Sequence, residues 1–422
     1  MFPGLGRQDV KDADFKNMTA DLVAVEMAAH GGSVVEVRRG DDGWRMVAGS
    51  RYARRIDAET PVEITGPAAG HARMRTSADP SGRAVRGMLN NCAGGVTPWG
   101  TWLTCEENFH GYFWGKLEAD HAEARNLKRY GVPARAYAWG KFHDRFDITK
   151  EPHEANRFGW VVEIDPFDPS STPKKRTALG RAKHEGAAGI VNRDGRYVVY
   201  TGDDERFDYV YRFVTAGRVD AANRAANMNL LDDGTLSVAR YNADGSVDWL
   251  PLGAGHGPDV LIEARRAADL LGATKMDRPE DVEANPHSDK IYVILTNNTR
   301  RKADQLDAAN PRAANAFGHI IEMTAPDGDH AADRFTWEIL VKCGDPAIAE
   351  VGATFNPATT RNGWFGMPDN CAVDNQGRLW IATDGNSGSK TGRTDGVWAL
   401  ETHGAARGTS RLFFRCPTGA EL

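Results

Sequence analysis

Short apolar runs recur along the chain, each bounded by polar turns. Residues 100–104 (GTWLT), 195–201 (GRYVVYT), 290–296 (KIYVILT) and 377–383 (GRLWIAT) share one form. They are rich in β-branched and aromatic residues, which predicts strands. Each runs into a polar cluster: Glu106-Glu107-Asn108, Asp203-Asp204-Glu205, Asn297-Asn298-Thr299 and Asp384-Gly385-Asn386. A second strand family follows at 160–165, 209–213, 319–323 and 397–400. Strand, turn and strand repeated in this way is the sequence form of a β-propeller. Such blades are stabilised by their neighbours, so residues 1–422 are expected to form one all-β domain.

The repeat continues upstream of the strands. Glu185, Glu280 and Asp369 lie 12, 12 and 11 residues before Tyr197, Tyr292 and Trp380. Equivalent positions in a propeller point to one mouth of the channel, so three carboxylates are expected to converge. Two charged stretches, 118–131 and 259–271, break the strand pattern and end in Gly131 and Gly272. Both are expected to be helical insertions whose charges face solvent.

Composition narrows the choice. Forty-five glycines and eleven tryptophans favour tight turns and short aromatic strands. A net charge of −6 gives no reason to expect a nucleic-acid or membrane partner. The five cysteines are widely spaced without a CxxC pair, so neither a disulfide framework nor a structural zinc site is implied. There is no apolar run of 18 residues and no export signal at Met1-Phe2-Pro3-Gly4.

The densest chemistry lies at 90–108, NNCAGGVTPWGTWLTCEEN. Cys92 sits at a Gly-rich turn, and Glu106 and Glu107 end the next strand. A thiolate favours softer transition metals, whereas carboxylates suit hard cations such as calcium. Four or more acids at one mouth repel one another unless cations intervene. Arg278, two residues before Glu280, has a fork suited to two phosphate oxygens, with a salt bridge to a neighbouring acid as the equal alternative. His184 is expected to be packed and hydrogen-bonded rather than a ligand, and Cys105, Cys343 and Cys371 to be core. No G-x-S-x-G elbow, phosphate-binding P-loop or H-E-x-x-H helix occurs.

These residues resemble the PhoX alkaline phosphatases. The likeness runs through 90–108, FGWVVEIDPFDP at 158–169, HEGA at 184–187, GDDERFDYVYRF at 202–213, RPED at 278–281 and PDN at 368–370, in order over nearly the whole chain. The resemblance implies a six-bladed β-propeller, incomplete at both ends. By the same resemblance the chain is expected to start downstream of the family's export signal and of an Asn-His-Glu-Tyr run, and to stop before a last strand pair. It further implies hydrolysis of phosphomonoesters at an iron–calcium cluster (Fe3+ and Ca2+) in the channel. By the same resemblance Cys92 is an iron ligand, Glu185, Glu280 and Asp369 are cluster carboxylates, Glu107 lies on the calcium side, and Arg278 holds the substrate phosphate. Asp204 and Glu205 are candidates only for the remaining calcium ligands. A monomer acting on small molecules in the periplasm or outside the cell is expected.

Two other readings remain at this point. The run at 368–380 would suit a calcium-dependent lactonase-type propeller, which has no need of Cys92. A noncatalytic, calcium-stabilised binding propeller is the other.

Overall fold

The computed structural model describes residues 14–253, 257–385 and 391–417. Asn386 of the fourth polar cluster and the two chain ends lie outside them. The chain divides into two compact units, one of Met1–Cys92, Trp99–Lys183 and Gly255–Arg266, the other of Ala93–Pro98, His184–Ala254 and Ala267–Leu422.

In the first unit, β1 (Gly32–Val34) pairs with β4 (Arg54–Ile56), and β2 (Val37–Gly40) with β3 (Gly43–Met46). The main sheet uses β5 (Pro61–Thr65), β6 (Ala84–Arg86), β8 (Trp102–Glu106), β9 (Val161–Ile164) and β10 (Lys174–Arg176), in the order β6–β5–β10–β9–β8. Only β10 and β5 run parallel among these pairs. β7 (Asn91–Val96) starts in this unit and passes into the second after Cys92. All four residues of β9 are buried, so its one acid must be satisfied internally. Glu163 does this by accepting from Trp99 Nε1 (2.9 Å) and Arg176 Nε (2.7 Å). Val23, Met27, Tyr112, Trp139, Phe158 and Trp160 are central to the apolar core.

The second unit is built from three antiparallel four-stranded meanders. The first is β11 (Ala188–Val191), β12 (Arg196–Gly202), β13 (Val210–Arg218) and β14 (Gly234–Tyr241). After β15 (Ser246–Pro251) comes β16 (Pro279–Ala284), β17 (Lys290–Leu295), β18 (His319–Thr324) and β19 (Arg334–Lys342). The third is β20 (Pro368–Val373), β21 (Leu379–Thr383), β22 (Gly396–Leu400) and β23 (Ser410–Arg415). β15 pairs with both β14 and β19, which fuses the first two meanders into one nine-stranded sheet. The leading strand β16 packs against the leading strands β11 and β20. One core fills the space around Tyr200, Trp249, Ile291 and Phe335, another that around Ile320, Phe365 and Trp398.

All eight strands expected from the repeat form. Each member of the first family pairs antiparallel with its follower: β8 with β9, β12 with β13, β17 with β18, and β21 with β22. The helical insertions are shorter than expected. Within 118–131 only Ala124–Arg129 is α-helical, and 259–271 splits into Asp259–Ile262 and Ala264–Leu271.

Their charges do not all face solvent. Glu123 is buried and accepts from Arg73 Nε (2.6 Å) and Nη2 (2.8 Å), while Arg265 is buried over the Tyr130 ring. Burial raises the Glu123 pKa, but Arg73 outweighs it and holds the carboxyl at about 2. Glu123 is thus paired rather than hydrated, and Arg265 rests on an aromatic face and donates to the Arg129 carbonyl at 3.3 Å.

Candidate active site

A repeated backbone device shapes the site. Along β16 and β17, Pro279 faces Leu295 and Val282 faces Val293, so one extra residue makes a bulge at Glu280-Asp281. β20 repeats this, with Pro368 opposite Thr383 and Cys371 opposite Ile381 around Asp369-Asn370. Bulges re-aim side chains and are common beside active sites. The residue before each proline is left-handed, Arg278 at φ 55° and Met367 at φ 51°. Bulky residues rarely adopt this region, and a following proline restricts the backbone further. The strain, of order ~1 kcal/mol each, is held by the next strand. The Arg278 carbonyl accepts Thr296 N–H, and that of Met367 accepts Asp384 N–H, each at 3.2 Å.

Asn90 has the same conformation, φ 49°, and its carbonyl accepts Glu107 N–H at 3.1 Å. Cys92 therefore holds in its repeat the place that Glu280 and Asp369 hold in theirs. Its side chain is exposed, with Sγ within 4.8 Å of a Glu107 carboxylate oxygen. Glu107 itself is buried.

In the second unit, carboxylate oxygens of Glu185, Glu280 and Asp369 lie within 4.8 Å of one another. Glu185 and Glu280 are 2% and 1% exposed, too little for water to screen three like charges. Burial pushes the Glu280 pKa well up, and Asp204 and Asp369 push it further. Asp369 rises in the same direction, by burial and then by Glu185. Glu280 Oε1 is buried with no hydrogen-bond donor among the described residues; Arg278 Nη2 lies 3.1 Å away, outside hydrogen-bond geometry. Asn370 Nδ2 donates to Glu185 Oε1 at 3.0 Å. Converging oxygens with an orphaned acceptor fit hard cations, and the Cys92 thiol beside Glu107 fits a softer transition metal next to them.

Arg278 donates from Nε and Nη2 to the two oxygens of Asp204, both at 2.7 Å. Burial opposes its charge, but Glu280 and Asp204 outweigh it and keep its pKa above the usual arginine value. Asp204 is thus the partner that orients the arginine. Glu205 Oε1 accepts from Arg206 N–H (3.1 Å) within its own turn. His184 is buried and bonds Thr201 Oγ1 at 2.9 Å through Nδ1, the packed role expected of it. Cys105 and Cys343 are buried, while Cys371 is only half-buried at the edge of its core.

Glu106 and Glu107, adjacent in the chain, take separate surroundings. Glu106 is fully buried against Lys175 Nζ at 2.8 Å and accepts backbone N–H from Leu89, Gly159 and Trp160. Successive residues at a strand end point to opposite sides, so only Glu107 is left for a metal. Two further residues shape the site though no sequence spacing singles them out, Asp281 and Asn370. Asp281 accepts Val282 N–H (2.9 Å) and Cys371 N–H (3.1 Å), tying β16 to β20. A side chain at Gly186 would collide with Asp281 Oδ1, which explains the glycine after Glu185. Burial pushes the Asp281 carboxyl up to about 6. Its acid beside Glu280 in RPED and the Gly of HEGA were the available clues.

The family model described as "Alkaline phosphatase PhoX" matches residues 5–422. The chain belongs to the PhoX alkaline phosphatase family. It is a mostly β phosphomonoester hydrolase. Among solved structures it is similar to Pseudomonas fluorescens PhoX in complex with vanadate, a transition state analogue, at 43% identity and a TM-score of 0.89, covering 96% of this chain and 74% of that one. A gluconolactonase from Xanthomonas campestris aligns at 13% identity over 62% of this chain and 73% of its own, with a TM-score of 0.20. Likeness at that level lends the lactonase reading no support. Comparison with curated proteins finds no match. No described helix is long and apolar enough to cross a membrane.

Proposed function

We propose that this PhoX phosphatase is a six-bladed propeller in which Glu185, Glu280, Asp369, Cys92 and Glu107 are metal ligands and Arg278 binds the phosphoryl group. The metals are Fe3+ and Ca2+, the thiolate of Cys92 serving iron. The observation that carries this reading is the buried carboxylate trio with its orphaned Glu280 oxygen beside a guanidinium. When bound, such ions supply electrophilic polarisation of the phosphoryl oxygens.

The chain's own residues do the rest. Arg278 donates to the equatorial oxygens, where charge accumulates as the ester bond breaks. Asp204 fixes the plane of the fork, so little reorganisation remains when phosphate arrives. Asn370 orients Glu185. Asp281 anchors the bulges that aim Glu280 and Asp369. The attacking oxygen comes from water, and the ester oxygen leaves with the alcohol. In this reading the protein is a monomer that works in the periplasm or outside the cell on small phosphomonoesters.

Cys92→Ala tests the metal assignment. Elemental analysis should show iron lost and p-nitrophenyl phosphate turnover abolished at alkaline pH. Undiminished iron in that variant would remove Cys92 from the ligand set.

A further inference from the structure

Three loops of the second unit bring arginines toward the phosphoryl-binding end, and the mechanism uses only one of them. Arg278 is on the loop before β16, Arg206 on the loop after β12, and Arg300 on the loop after β17. The loops are locked together. Phe207, left-handed at φ 69°, donates its N–H to the Met276 carbonyl (2.9 Å), and Arg206 bridges to Asp277 through the backbone. Arg301 donates to Asp277 Oδ1, the Gln305 carbonyl and the Lys275 carbonyl, and lies over the Phe207 ring.

Arg301 shows what a structural arginine looks like here: buried, with three acceptors. Arg206 and Arg300 are different. The side chain of Arg206 has one weak contact, Nη2 to Asn297 Oδ1 at 3.3 Å, and its Nε is buried with no partner among the described residues. The guanidinium of Arg300 is exposed and makes no hydrogen bond or ion pair among the described residues; only its backbone N–H is used, by Asn298 Oδ1. Burial lowers the Arg206 pKa, and the charges of Arg278 and Arg300 lower it further, outweighing the opposing pull of Glu205 and Asp204. Two under-used cations beside a third repel one another, and an anion between them relieves both the repulsion and the orphaned donor.

We propose that Arg206 and Arg300 form a second anion subsite beside Arg278, which takes a negatively charged group on the leaving-alcohol side of the substrate. The preferred substrates are then phosphomonoesters that carry a second anion, a carboxylate or another phosphate, a few bonds from the reacting phosphorus. Arg206 and Arg300 are specificity residues and touch no reacting atom. This rests on the reading of Arg278 as the phosphoryl-binding arginine.

The test compares 3-phosphoglycerate with glycerol 3-phosphate, which differ by a carboxylate in place of a hydroxymethyl group. The metal-loaded protein should show a kcat/KM ratio of about ten or more in favour of 3-phosphoglycerate, shrinking as salt rises. Arg206→Gln and Arg300→Gln should each cut that ratio several-fold, and the double variant should bring it near one. Arg300 is exposed, so R300Q keeps the fold even where R206Q does not. A wild-type ratio near one, or a ratio unmoved by both variants, overturns the subsite. If neither compound is turned over, the phosphatase reading fails, and calorimetric binding of the same two compounds still decides the subsite. Tighter binding of 3-phosphoglycerate that is lost in R300Q supports it, and equal binding refutes it.

Discussion

Arg278 offers Nε and Nη2 to the two carboxylate oxygens of Asp204, each at 2.7 Å. One side of the fork is thereby fixed, while Nη1 has no hydrogen-bond partner among the described residues. The Asp204→Asn variant keeps one acceptor and loses the charge. It should reduce kcat/KM for p-nitrophenyl phosphate by about tenfold, mostly through KM, because the arginine is left mobile. Arg278→Lys removes the planar fork and should cost about a hundredfold or more. Steady-state kinetics on both variants checks this, and equal losses would mean that Asp204 does more than orient.

The carboxylate trio makes opposite demands with and without metal. Glu280 and Asp369 have raised pKa values, so above the ordinary carboxylate range near pH 4.5 the metal-free folded chain holds protons that the unfolded chain has released. The chelated protein therefore loses stability as pH rises from there toward the raised folded-state values. Glu280→Gln removes one repelling charge. It should raise the Tm of the chelated protein by a few degrees and lower that of the metal-loaded protein. Thermal melts with and without chelator read both signs.

Glu106 and Lys175 form a pair with both side chains fully buried, and Lys175 also lies over the Phe158 ring at 3.7 Å. Burial lowers the Lys175 pKa to about 8 and raises that of Glu106, so the environment disfavours both charges taken singly. Lys175→Met leaves Glu106 uncompensated and should cost about 3–5 kcal/mol. The double variant Glu106→Gln, Lys175→Met should recover part of it. Denaturant unfolding of the three variants measures the coupling.

The repeat made most of this fold legible. Short β-branched and aromatic runs bounded by polar turns marked eight strands, and the spacing before Tyr197, Tyr292 and Trp380 marked the acids that meet. Side-chain direction at strand ends was not legible. Glu106 and Glu107 read alike as adjacent acids, yet one faces the core and Lys175 while the other lies by Cys92. Nor were long-range charge partners visible, because Glu123 meets an arginine fifty residues away, Arg73. Asp281 looked like a neighbour of the site, and only the close approach of Gly186 and Cys371 shows it to be a strut.

His319 supplies a pH dependence away from the site. It is fully buried, with Nε2 on the Ala309 carbonyl at 2.8 Å, and burial lowers its pKa to about 4. The unfolded chain binds the proton first, so this contribution is complete above about pH 6.5 and is lost as pH falls toward 4. The loss is of order ~3 kcal/mol. His319→Gln should flatten the stability profile in that window, which chemical denaturation at pH 4.5 and 7 would show.

The central claim is that the Glu185–Glu280–Asp369 cluster holds the metal on which phosphoester hydrolysis depends. Metal content by elemental mass spectrometry, taken with p-nitrophenyl phosphate turnover on the same samples of wild type and Glu280→Gln, tests it most directly. The account predicts iron and calcium with turnover in the wild type, and a matched loss of metal and activity in the variant. Full turnover by a variant or a chelated sample that holds no metal would contradict it.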